Sequence, residues 1–107
     1  MIIYADFETL SECDIRESGA DAYARHHTTG ILCLAFSIDG NKPTLYIPQD
    51  QLTRAMRLDP IPYDIVTELP QEVLDHATTG GIFVFHNAAF DAQIWNNCSE
   101  WPKLAPH

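Results

Sequence analysis

Residues 2–12 read IIYADFETLSE. An apolar run, Ile2 to Ala5, leads directly into Asp6, Phe7 and Glu8. Such a run suits a short buried strand. Carried on as a strand, the alternation puts Asp6 and Glu8 on one face, about 6.6 Å apart along the chain, and turns Phe7 to the other face, into the core. Two carboxylates side by side at a strand end repel each other and are costly near a core unless a positive charge sits between them. A divalent ion meets that need, and oxygen-only ligands favour Mg2+ or Mn2+ over zinc. Taken alone, an Asp-x-Glu pair is more often simply solvated, because acidic residues are mostly exposed.

A second stretch changes that balance. Residues 81–97 read GIFVFHNAAFDAQIWNN. Ile82 to Phe85 is a strand, His86-Asn87 a polar corner, and Asn87 a good N-cap for a helix from Ala88 to about Asn97. Asp91 falls in the first turns of that helix, with Phe90, Ile94 and in part Trp95 placed to face the sheet. If this strand lies beside the first, Asp91 approaches Asp6 and Glu8, and three carboxylates converge at one end of a sheet. An acidic residue near a helix N-terminus is also favoured by the helix dipole alone.

The rest of the chain supplies the frame. Ile31 to Ile38 is a strong strand, Asp39-Gly40-Asn41-Lys42 a hairpin turn, and Thr44 to Ile47 a returning antiparallel strand. Residues 20–25 suit a helical turn or two. Residues 48–70 hold Pro48, Pro60, Pro62 and Pro70 and read mostly as loop. Pro70 to Ala77 suits a helix with Val73, Leu74 and Ala77 on one face. The order strand, strand, strand, helix, strand, helix implies a single α/β domain with a mixed sheet and packed helices.

Composition narrows the class. The 107 residues form one domain with a modest core. Three cysteines, Cys13, Cys33 and Cys98, lack metal-type spacing and suggest reduced thiols, with Cys33 expected in the core. The N-terminus has neither a basic n-region nor a long apolar h-region, and no run approaches a membrane span, so a cytoplasmic protein without membrane contact is expected. Six Lys and Arg stand against fifteen Asp and Glu, a net charge of -9. That sign opposes nucleic-acid binding through cations, except where divalent ions reverse the charge of an acidic site. His26-His27 reads as an exposed loop pair, and Trp95 and Trp101 as packing.

These residues carry a resemblance. Asp6-Phe7-Glu8-Thr9 resembles the first motif of the DEDD-type 3′-5′ exonucleases, and Asn87-Ala88-Ala89-Phe90-Asp91 resembles their second. The segments 11–15, 23–26, 31–35 and 86–97 are similar to the N-terminal proofreading exonuclease region of phage-type family A DNA polymerases. The resemblance implies an RNase H-like (DnaQ-like) fold, incomplete at its C-terminal side, with two ions of Mg2+ or Mn2+ and hydrolysis at the 3′ end of single-stranded DNA. It further implies that Asp6 bridges the ions, that Glu8 holds the nucleophile-side ion and that Asp91 supports the other. Thr9 and Leu10 would lie near the terminal nucleotide, and Asn87 would serve as a cap or substrate contact.

One departure matters. The family's third motif, a Tyr or His with a following Asp, is not found after Asp91, so neither a fourth carboxylate nor a general base is assigned. The expectation is a proofreading-type domain with weak or no activity alone, completed by more of a polymerase chain, a second copy or another protein. The alternative is a non-catalytic acidic phage-type protein that mimics nucleic acid against a host nucleic-acid-binding protein.

Overall fold

A computed structural model describes residues 1–52 and 63–105. The strands are β1 (Ile2–Leu10), β2 (Gly30–Ile38), β3 (Thr44–Tyr46), β4 (Asp64–Val66) and β5 (Ile82–Phe85). The α-helices among the described residues are α1 (Ile15–Arg25), α2 (Gln71–Thr78) and α3 (Ala88–Cys98). One five-stranded mixed sheet runs in the order β4-β3-β2-β1-β5. The β1-β2 and β2-β3 pairs are antiparallel, while β1-β5 and β3-β4 are parallel. The protein is therefore α/β, with β5 beside β1 as the carboxylate argument requires.

Alternation decides what each strand buries. Ile3, Ala5 and Phe7 of β1 and Leu34 and Phe36 of β2 point to one side and are buried. All three helices add to that side: Ala24 from α1, Val73 and Ala77 from α2, and Ile94 and Trp95 from α3. Trp95 is fully buried, and its indole N–H donates to the Pro102 carbonyl at 2.7 Å. Trp101 packs on Phe7, Tyr46 and Trp95, so both tryptophans are packing residues. Burial of each large apolar side chain in such a layer is worth about 1.5–3 kcal/mol. The opposite face carries no helix from the described residues. There Tyr4, Ile82 and Val84 are exposed, with Asp6 and Glu8 at one end.

The β2-β3 turn takes positive φ at Asp39 (54°) and Gly40 (77°). That is the pair of left-handed residues that two-residue hairpin turns demand. Asp39 also fastens the turn to β1, its N–H donating to the Ile2 carbonyl and its side chain accepting from the Ile2 N–H, both at 2.7 Å.

Several expectations change. β1 extends five residues past Ala5 to Leu10, because Phe7 is a core residue and β2 pairs along the whole length. α1 begins at Ile15, capped by Asp14, and is kinked at Gly19 (φ 82°). Part of the 48–70 loop is structured: Gln49–Gln51 forms a 3-10 turn and β4 adds to the sheet edge. Pro60 and Pro62 lie outside the described residues. Cys33 is half-buried beside Glu8 rather than in the core, since it faces the same side as that carboxylate. His26 is half-buried, its Nδ1 bonded to Thr28.

Candidate carboxylate site

β1 runs alongside β5 from Ile2 to Ala5, with Ala5 opposite Phe85. The His86 N–H still donates to the Ala5 carbonyl at 3.3 Å. There β5 ends and the chain turns into α3, while β1 continues through Asp6, Phe7 and Glu8. Asp6 and Glu8 are thus carried past the carboxyl end of a parallel pair, the position where open α/β sheets place ligands. Both are exposed, and Phe7 between them is buried.

The β1-β2 ladder is irregular at this point. Glu8 pairs with Cys33, but Thr9 pairs with Ile31, leaving Leu32 as an extra residue in β2. Bulges of this sort bend a strand and re-aim its side chains, and they occur often beside functional sites. The Cys33 thiol is pushed above its ordinary pKa, first by burial and then by the Glu8 charge, with a smaller push from Asp6. Glu8 and Asp6 thus act on one small region of the open face.

Asp91 has a different setting. It is only 2% exposed. Its Oδ2 accepts the Asn87 backbone N–H at 3.1 Å. Burial raises its pKa above the ordinary carboxylate range; the Asn87 N–H opposes that rise, Asp6 adds to it, and His86 and the Phe7 N–H oppose it in turn. Asp91 therefore sits between the start of α3 and the backbone of β1, within electrostatic reach of Asp6.

The structure brings Asp6 and Asp91 to the same corner and leaves Glu8 one strand step beyond. Among the described residues, no three His, Cys, Asp or Glu side chains are grouped closely enough to hold a metal ion. The donors are of the type a hard divalent ion takes, but as placed they are not gathered around one point. Asn87 is the N-cap of α3, its side chain accepting from the Phe90 N–H at 3.4 Å. Thr9 is half-buried and its hydroxyl is bonded to Tyr23 Oη at 3.0 Å, on the helix side of the sheet. Leu10 ends β1, half-buried.

His86 was not among the residues singled out by sequence, yet it belongs to this corner. The signal was present: His86 continues the outward positions of Ile82 and Val84, opposite Asp6 by continuation of the Tyr4-Val84 register.

Comparison with family models, with curated proteins and with solved structures returned no match to the chain. Among the described residues no helix is long and apolar enough to cross a membrane.

Proposed function

We propose that the chain has an RNase H-like fold of the DnaQ-like exonuclease kind, and that Asp6, Glu8 and Asp91 mark the divalent-ion site of a 3′-5′ exonuclease acting on single-stranded DNA. The observation that carries this reading is the meeting of Asp6 and Asp91 where β5 ends beside β1. A carboxylate held nearly out of water, its pKa raised and a second carboxylate near it, is the kind of perturbed group that marks functional sites. The strand order, three antiparallel strands with β5 parallel to the first, supports the same reading, as does the resemblance of both motifs to proofreading exonucleases of phage-type family A polymerases.

Asp6, Glu8 and Asp91 would hold Mg2+ or Mn2+. Such ions supply a more acidic water and neutralise charge on a phosphodiester. The chain's own part is to hold Asp91 through the Asn87 N–H and to keep Asp6 and Glu8 on one face of β1. The two motifs assign no general base, and a positioned general base commonly contributes a factor of about 10²–10⁴. The test is release of mononucleotides from a 5′-labelled single strand in Mn2+. Slow release that Asp6→Ala abolishes is expected; equal release by both chains would overturn the reading.

A second reading is a non-catalytic acidic protein that occupies the phosphate site of a nucleic-acid-binding partner. The net charge of -9 favours it, together with the ungrouped metal ligands. It requires no ion binding at Asp6, which divides it from the first.

A further inference from the structure

We propose that the free edge of β5 takes up an extended segment of a cationic partner protein, which pairs with β5 as an added strand and sets an apolar side chain into the cavity beside it. The inference does not depend on ion binding at Asp6. β5 is the last strand in the order β4-β3-β2-β1-β5. The His86 N–H donates to the Ala5 carbonyl on the β1 side. Backbone groups two residues apart in a strand turn the same way, so Ile82 and Val84 also face β1, while Phe83 and Phe85 turn their N–H and C=O groups outward. Among the described residues no strand pairs with those outward groups. Sheet edges are ordinarily guarded by Lys, Pro, inward charges or bulges. Ile82-Phe83-Val84-Phe85 has none of these, and its register with β1 is regular. The other edge strand, β4, carries Asp64, paired with Lys42.

The two sides of this edge differ in chemistry. On the helix side, Phe83 and Phe85 line a cavity of about 410 Å³ together with Ala77, Ala92 and Leu104, and Gln93 and Asn96 are its polar members. The small side chains of Ala77 and Ala92 leave this room, and the volume lies within the ~300–1,000 Å³ typical of ligand sites. A strand added to β5 sends alternate side chains to this side. Main-chain bonds then supply affinity and the cavity supplies specificity. On the other side Ile82 and Val84 are exposed, and the same face carries exposed Asp6 and Glu8 on β1. Charge decides the partner. The chain carries a net charge of -9, and among the described residues Arg16, Arg25 and Lys42 are already paired with Asp14, Asp21 and Asp64. Such a surface repels a second copy of itself and attracts a cationic segment. Lysines alternating with apolar residues suit both sides, since a lysine stem can cover Ile82 or Val84 while its ammonium stays in water.

The test uses the full chain, isotope-labelled for NMR, and the acetylated, amidated peptide KVKLKVK. Its controls are the acidic counterpart EVELEVE and KVKLKVK N-methylated throughout, which cannot donate to a strand. The expected result is binding of KVKLKVK, with the Phe83 and Phe85 N–H resonances shifted and protected from exchange. Both controls should bind at least about tenfold more weakly. Ala92→Leu, which fills the cavity from α3, should weaken KVKLKVK about tenfold; retained spectral dispersion shows that this variant is folded, and the peptide series in wild type decides the pairing without it. No binding of KVKLKVK, equal binding of its N-methylated form, or shifts confined to other residues overturns the pairing. Equal binding of EVELEVE overturns the cationic partner, and equal binding to folded Ala92→Leu overturns the use of the cavity. Protection of Phe83 and Phe85 that rises with protein concentration in the absence of peptide gives the edge to a second copy and overturns the proposal.

Discussion

Asp91 holds the backbone of Asn87, the residue that caps its own helix. The Asn87 side chain accepts from the Phe90 N–H, and the Asp91 carboxylate, one turn into α3, accepts from the Asn87 N–H at 3.1 Å. This is the reciprocal logic of a capping box, and it turns the strand-to-helix corner into a closed unit. Asn87→Ala removes one half of it. The expected loss is about 1 kcal/mol of stability, read from urea unfolding. A loss near zero would mean that Asp91 and β1 hold the corner without the cap.

The pH dependence of stability should carry the signature of Asp91. Burial raises its pKa in the folded chain. The folded protein therefore keeps this proton at pH values where the unfolded chain has released it. Stability attributable to Asp91 falls as pH rises from the ordinary carboxylate range through the raised value, and levels off above it. Asp91→Asn has no such slope, so its stability relative to wild type should increase across that window. Unfolding measured over a pH series checks this; a difference independent of pH would contradict it.

Gly81 is fixed by its neighbour. A Cβ there would collide with the His76 ring. That ring is buried, and its Nε2–H donates to the Ile82 carbonyl at 2.8 Å. Gly81→Ala should therefore cost about 1–3 kcal/mol through overpacking. In a His76→Ala background the same change should cost less, because the obstruction is gone. Equal costs in the two backgrounds, compared by a double-mutant cycle, would show that the ring yields freely.

Cys33 reports on the charge of the open face. Its thiol is held protonated first by burial and then by Glu8, and the thiolate is the reactive form. Glu8→Gln should speed alkylation of Cys33 at mildly alkaline pH, followed site by site with mass spectrometry. An unchanged rate would place Glu8 too far from Cys33 to matter.

Much of this corner is legible in the chain itself. The alternation Ile3, Ala5, Phe7 identifies the buried face, and Asn87 marks the start of α3. What escapes is set by tertiary approach. β4 is three residues, Asp64-Ile65-Val66, on a sheet edge, too short for a periodic signal. α1 is interrupted by Gly19 in a left-handed conformation, which hides its first turn from any helical pattern. The nearness of Asp91 to Asp6 follows from β5 lying beside β1. The burial of Asp91 does not, because the β1 backbone that it approaches at Phe7 lies 84 positions earlier in the chain. His86 was passed over because a histidine at a strand end has meaning only once its partner in the next strand is known.

The central claim is that Asp6 belongs to a divalent-ion site, and calorimetric titration with Mn2+ tests it most directly. Three chains suffice: wild type, Asp6→Ala, and Asp21→Ala as a control for general charge, since Asp21 pairs with Arg25 on the exposed surface of α1. Weak binding that persists in Asp21→Ala and disappears in Asp6→Ala is the predicted result. Binding that falls equally in both variants, or that survives in Asp6→Ala, would contradict the account.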